Sequence, residues 1–443
     1  MKKSLAVFLI FFISAAVFAE DYAYFPDKLL ENLIAEKLGC STPIPLSELN
    51  NLTTVTSNFV AIKDLTGLDQ INYLRYLTIA SADVSSVEPL RNATSIWTLS
   101  LVGNSIKDIS ALSNLNSLKQ VNLHTNQVSD ITPLANLHIR NLNITNNNVS
   151  DISTVATFRN YMTHFYAANN NIEDISCLSG MYFNYLSISS NRVKDISSIS
   201  NCYNLTSLYV SDNQITDLTP VSQLSNLSSL GISDNQITDL SPISQLQNLK
   251  NLYANNNLIS DISPLASNDK LEILQLNGNK ISDVSPLKDL YSNLKELWIE
   301  DNRLTDITPL FITPGRRLET LHAGGNQITT LEGSSWQGTF YLYLNDNELS
   351  DLLWLESFPY LKILDVSNNN ITDLAPLLNL GSLRTVELTG NPLSQWQVDT
   401  YIPLLREKGI YVHYEVPEPA SLILLAGGVL VLNRRKKQRY IES

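Results

Sequence analysis

The stretch LYVSDNQITDLTPVSQLSNLSSLGISDNQITDLSPI, residues 208–243, contains one phrase twice: LYVSDNQITDL is answered by LGISDNQITDL 22 residues later. Read outward in both directions, an asparagine closing the pattern L-x-L-x-x-N recurs from Asn104 through Asn126, Asn213, Asn235 and Asn257 to Asn391, at gaps of 21 to 24 residues. A period this short marks a solenoid, because one unit cannot bury its apolar face alone and must stack on its neighbours. Within a unit, Leu208 and Val210 alternate with Tyr209 and Ser211, which is the period of two of a strand with one face in the core. The asparagine amide donates and accepts at once, and so suits backbone groups exposed where each coil leaves the sheet. Ile215 and Leu218 then point inward, Thr219-Pro220 offers a capping hydroxyl before a proline at a first helical position, the repeated Asp217, Asp239, Asp261 and Asp283 suit turn capping, and Leu224 with Leu227 complete the core. The short unit leaves room for one helical or 3₁₀ turn. The expected fold is an α/β solenoid of fifteen or sixteen rungs spaced about 4.8 Å apart.

The residues that carry the period resemble leucine-rich repeats, specifically the 22-residue bacterial kind found in internalins, over roughly residues 24–415. That resemblance implies a curved array with a parallel concave β-sheet and short helical or 3₁₀ turns on the convex side. A small helical cap fits the N-terminal end, where Leu29, Leu30, Leu33 and Ile34 fall at helical spacing between Pro26 and Leu38, and Pro45 to Leu52 reads as a second short helix. Atypical first rungs follow, with an incomplete unit around Ile62-Lys63-Asp64-Leu65 and Ala82 standing where the asparagine is expected. At the far end Gln395 to Lys408 reads as a helix stopped by Gly409, before a last strand from Ile410 to Tyr414. The outer segment after Asn326, which contains Trp336, loses both the aspartate and the Pro-Leu pair, and the preceding one carries Pro314-Gly315-Arg316-Arg317, so an irregular convex side is expected there.

Both ends of the chain carry sorting information. Lys2 and Lys3, an apolar run from Leu5 to Ile13 and Val17-Phe18-Ala19 before Glu20 read as a secretory signal peptide cut between Ala19 and Glu20. A membrane anchor is the competing reading, for which the run is short. The last stretch combines Val416-Pro417-Glu418-Pro419, an apolar segment from Ala420 to Leu432, and the basic residues Arg434, Arg435, Lys436, Lys437 and Arg439. It resembles the PEP-CTERM sorting signal. The resemblance implies a tail held in the inner membrane as a transmembrane helix, cut near Pro-Glu-Pro by an exosortase, and a product released or attached at the cell surface. A plain tail anchor would sit in the same orientation, with its basic end inside. The domain reading is therefore a leader at 1–19, a helical cap at 20–52, the solenoid at 53–394, a C-terminal cap at 395–415 and a sorting tail at 416–443.

The formal net charge is −13, from 30 basic and 43 acidic residues. Setting aside the two leader lysines, and the five basic and two acidic residues of the tail, leaves −18 for residues 20–415. Such a surface repels nucleic acid and anionic lipid and accepts neutral sugars, cationic proteins or divalent cations. Cys40, Cys177 and Cys202 are an odd number, so at least one thiol is unpaired. Cys202 takes a leucine position and is expected to be buried; a Cys177–Cys202 bridge needs Cα atoms within about 7 Å, which the spacing leaves open.

No zinc spacing, P-loop, GxSxG or dinucleotide fingerprint is present, so no metal, cofactor or catalytic centre is expected. The informative surface is the inner face of the sheet. The residue between the two strand leucines defines a lane through Tyr166, Ser187, Tyr209, Gly231, Tyr253, Gln275, Trp298, His322, Tyr343, Asp365 and Glu387, with His164, Tyr185, Glu296 and Tyr341 beside it. Solvent-facing aromatics with polar tips anchor protein partners and stack on sugars; tyrosine is also favoured on strands for cross-strand packing alone. The candidate binding residues are Tyr166, Tyr209, Tyr253, Glu296, Trp298, His322, Tyr341 and Tyr343, with Trp298 flanked on its own strand by Glu296 and Glu300, to which hydrogen bonds are expected to fix its orientation. Asp365 and Glu387 fall on adjacent rungs, a spacing that suits a cation or a solvated carboxylate pair. The expected function is an exported, non-enzymatic protein that binds a protein or glycan on its concave face. Two alternatives are a structural component of an exopolysaccharide matrix, a role the PEP-CTERM resemblance implies, and a polysaccharide-acting enzyme drawing on Glu296, Glu300, Asp301, His322 or Asp365.

Overall fold

The computed structural model of the protein describes residues 21–290, 293–311, 318–331 and 338–415. Seventeen strands form one sheet, each pairing in parallel with the next along the chain, from Thr54–Asn58 to Tyr411–His413. That exceeds the expected number of rungs because Thr54–Asn58, Tyr76–Ala80 and Tyr411–His413 extend the sheet without a ladder asparagine. Register follows the repeat, so that Leu208, Leu230 and Leu252 stand side by side. In the rung that begins at Leu208, the residues Leu208, Val210, Ile215, Val221, Leu224 and Leu227 are all 0% exposed. The buried apolar residues join into one cluster running from Ala23 to Val412, and truncating any such leucine to alanine costs about 2–5 kcal/mol.

The asparagines hold rung to rung. Asn235 Nδ2 donates to the carbonyl oxygens of Val210, Ile232 and Ser233 at 3.0, 3.1 and 3.1 Å, and its Oδ1 accepts from Ile215 N at 2.9 Å. Two of these partners, Val210 and Ile215, belong to the preceding rung, so each amide closes its own turn and fastens it to the one before. The convex turns are 3₁₀, as in Thr219–Gln223 and Ser241–Gln245. Of the two caps expected, the aspartate acts and the hydroxyl does not: Thr219 lies inside the turn, and Asp217 Oδ1 accepts from Thr219 N at 2.8 Å. A carboxylate two residues upstream reaches this amide, whereas the Thr219 hydroxyl is already past it.

Helix α1 (Lys28–Leu38) covers the first rung with Leu30 and Ile34, both 0% exposed. Asp27 caps it through Oδ1 to Leu29 N and Leu30 N, while Oδ2 accepts from Lys63 N at 2.8 Å and Asp64 N at 3.3 Å, tying the helix to the incomplete rung. The second expected helix is a single 3₁₀ turn, Glu48–Asn51. Helix α2 (Gln395–Glu407) covers the other end, and Gln397 Oε1 accepts from Leu374 N at 3.0 Å. The cysteines are all free: Cys177 Sγ donates to Ile152 O and Cys202 Sγ to Leu178 O, so no Cys177–Cys202 bridge forms. Ala19, Glu20, Val416, Pro417, Glu418 and Pro419 lie outside the described residues, as do Arg316 and Trp336. Among the described residues no helix is long and apolar enough to cross a membrane, and the transmembrane helix expected of the tail falls on residues that are not described.

Candidate concave binding face

Every lane residue lies on the inner face of the sheet, in register with its neighbours. The flanking leucines take the core side, which leaves the residue between them facing out. The aromatics gather into two groups. Upstream, Tyr166 and Tyr185 lie 4.6 Å apart at their ring centroids, Tyr185 and Tyr209 5.5 Å apart, and His164 stacks with Tyr166 and Tyr185 at 6.3 Å. Downstream, Trp298, His322 and Tyr343 form a continuous stack on three successive strands, with centroids 3.7 and 4.2 Å apart and planes within 16° and 6°. Tyr253 stands between the groups, beside Gly231 and Gln275. Tyr209 leans over Gly231, where an added Cβ would lie 2.7 Å from its ring, and its hydroxyl meets Ser229 Oγ at 2.8 Å. The glycine therefore makes room for the ring.

These side chains are half-buried, packed against one another across the strands on the outward side of the sheet. Burial pushes the phenols of Tyr166, Tyr253 and Tyr343 above their ordinary value; for Tyr185, burial together with the nearby Tyr209 and Tyr166 reaches about 12. All four stay neutral, able to donate and accept. The expected hydrogen-bonded orientation of Trp298 is corrected: its Nε1 is buried and has no partner among the described residues. Stacking on His322 holds the indole instead. Glu300 serves His322, with Oε1 3.7 Å from His322 Nδ1, and is itself fixed by Asn277, which donates to Oε2 at 2.9 Å and accepts from Glu300 N at 2.8 Å. Asn255 continues this chain to Gln275 and Asn277. Sequence reading missed the amide chain because its members sit two residues beyond the aromatic lane, 22 or 23 positions apart. Glu296 stands opposite Ile273 and Thr320, and Tyr341 opposite Thr320 and Ile363, so both border the stack without a ring contact to it.

Asp365 and Glu387 do stand on adjacent strands, yet each turns to its own rung or the next. Asp365 Oδ1 accepts from Ser367 N and Oγ at 2.9 and 2.7 Å, whereas Glu387 accepts from Thr389 N at 2.9 Å and contacts His413 Nδ1. Burial raises the Asp365 pKa, against the pull of the Ser367 hydrogen bonds. Among the described residues no group of three or more His, Cys, Asp or Glu side chains is arranged to hold a metal ion. None of the strands contains lysine or arginine, so the formal charges of this face are carboxylates and any protonated histidines.

The model for Leucine Rich repeats (2 copies) matches residues 98–136, 184–223, 225–267 and 269–311, and that for Leucine Rich Repeat matches 360–380. The PEP-CTERM protein-sorting motif matches residues 415–437. No curated protein matches the chain. Among solved structures, an internalin, InlF, from Listeria monocytogenes is 28% identical with a TM-score of 0.56, over 91% of this chain and 100% of that one. A leucine-rich repeat protein of Leptospira interrogans shares the fold at a TM-score of 0.73 and 22% identity, over 83% of this chain and 97% of its own. A plant peptide hormone receptor, RGFR1, solved in complex with RGF2, shares it at 0.56 and 16%, over 84% of this chain and 81% of its own. The chain is a leucine-rich repeat protein with internalin-like repeats and a C-terminal PEP-CTERM protein-sorting motif.

Proposed function

We propose that the protein is an exported, non-enzymatic surface protein whose concave face binds a polypeptide partner rich in basic side chains. The observation that carries this reading is the Trp298–His322–Tyr343 stack, bordered by Glu296, Glu300 and Asp365 on a face whose strands hold no lysine or arginine. Aromatic faces edged by carboxylates attract guanidinium and ammonium groups by cation–π and ionic contact together. From Tyr166 to Tyr343 the lane crosses eight strand spacings, about 38 Å, a length that suits an extended polypeptide better than a small ligand. Solenoids present concave sheets in this way, and the plant receptor of the same fold is solved with RGF2. The sorting motif supports export, with the tail as substrate of an exosortase-type enzyme and the membrane as its stopping place before processing.

The test is capture of a partner from the cell-surface fraction of the producing organism, followed by affinity measurement. Trp298→Ala and Tyr343→Ala are expected to weaken binding by about 2 kcal/mol or more each if they anchor the partner. Their own cost in stability should stay near the 0.5–1.5 kcal/mol of a lost aromatic pair. Unchanged affinity in both variants would remove the site from this strip.

A further inference from the structure

A second surface differs from the rest of this acidic molecule. At the entry ends of the first strands, one residue before each, the chain places Arg75, Trp97, Lys119 and Arg140 in a row on successive rungs, since Tyr76, Thr98, Gln120 and Asn141 are register partners. Among the described residues none of the three cationic side chains makes a hydrogen bond or an ion pair. Further along the same column the situation reverses: Lys250 and Lys295 both pair with Glu272, at 3.1 and 2.7 Å. The upstream cations are thus left open, whereas Lys250 and Lys295 are neutralised by Glu272 and Lys362, further along, lies over the Phe340 ring.

The row borders a cleft of about 510 Å³ lined by Tyr73, Arg75, Tyr76, Ser95, Trp97 and Ser117, which continues past Asn50 and Thr53. Its rings are open to solvent: Tyr73 is 57%, Tyr76 43% and Trp97 38% exposed. Tyr76 and Trp97 meet edge to face at 6.0 Å and 85°, so the ring that contributes its edge keeps both faces free of the other and its partner keeps one.

We propose that this cleft binds a carboxylate-bearing oligosaccharide, a polymer of uronic acid type. Ring faces of Trp97 and Tyr76 accept the C–H face of a pyranose, the unpaired guanidinium of Arg75 takes a carboxylate, and serine and asparagine groups meet the sugar hydroxyls. Lys119 and Arg140 continue the charge on the third and fourth rungs of the row, beyond Trp97, so a repeating anionic chain that stacks on the indole meets further cations along the row. An acidic peptide is the lesser fit, because the lining contains no aliphatic side chain to receive peptide side chains. The site is separate from the concave strip and does not depend on it.

The test is calorimetric titration of the full-length protein with tetragalacturonate, its methyl-esterified form and hexaglutamate. Saturable binding of tetragalacturonate is expected, weakened about tenfold or more by Trp97→Ala and by Arg75→Gln. The neutral ester should bind less tightly and respond to Trp97→Ala while ignoring Arg75→Gln. Trp396→Ala, on α2, should change nothing. Circular dichroism checks each variant, and Lys119→Gln replaces Trp97→Ala should the latter fail to fold. Absence of saturation at millimolar ligand, indifference to both cleft substitutions, or hexaglutamate binding as tightly as the saccharide would each overturn the proposal.

Discussion

Asn235 uses one side chain to satisfy three carbonyl oxygens and one amide on two rungs, and it is 8% exposed. Alanine at this position leaves those groups buried and unpaired, so Asn235→Ala is expected to lower stability by about 1–3 kcal/mol, read from a denaturant midpoint. The residue before each ladder asparagine is equally constrained: Asp212, Asp234 and Asn256 have φ of +53°, +54° and +54°. Short polar side chains and glycine tolerate this left-handed turn, which explains why that column of the repeat reads Asp, Asn, Ser or Gly apart from Thr125, a β-branched residue held there at φ +55°. Phe59 breaks the pattern, with φ of +61° and 85% exposure. Nothing in the structure explains a phenylalanine there.

At the scale of the element, the 3₁₀ turns owe their position to the carboxylate before them. The Thr219 hydroxyl and amide hold Asp217 below the ordinary carboxylate value, and those of Ser241 do the same for Asp239. A carboxyl whose pKa is depressed by folding contributes stability above its unfolded value, near 3.8, and that contribution is lost as pH falls through the folded value. Asp217→Asn with Asp239→Asn should therefore cost stability at pH 7 and narrow the gap to the parent as pH falls below about 4, in thermal melts across that range. The end helices follow the same logic of neighbours. Asp27 caps α1 with one oxygen and grips the Lys63 and Asp64 amides with the other, so the helix is both started and docked by one side chain.

Across the whole molecule, the apolar core runs from Ala23 to Val412, and its last layer is closed by α2 and the strand Tyr411–His413. Deleting Val416 to Ser443 is therefore expected to leave the melting temperature unchanged while shifting the protein from the membrane fraction to the soluble one. A lower melting temperature would show that the tail contributes to the solenoid, and an unchanged distribution would show that it is not the membrane tether. The charge of the solenoid is also unevenly placed: carboxylates edge the concave strip, and Arg75, Lys119 and Arg140 line the strand entries of the first rungs.

The repeat itself was legible from the chain alone. Leu208, Val210, Asn213, Ile215 and Leu218 recur at fixed spacing because each rung must present the same groups to the next, so one unit read correctly determines strand, ladder and core for all. The family resemblance, the inward leucines and the outward lane follow from that local rule. What lies between rungs does not. That Tyr209 bends over Gly231, that Trp298 rests on His322 without a hydrogen bond, and that Glu300 answers to Asn277 depend on side chains 22 to 24 residues apart meeting across a strand spacing of about 4.8 Å. The same holds for Arg75, Trp97 and Lys119, which become a row only when the coils are stacked. Periodicity determines where each side chain starts; the packing of neighbouring rungs decides where it ends and which charges are left unpaired.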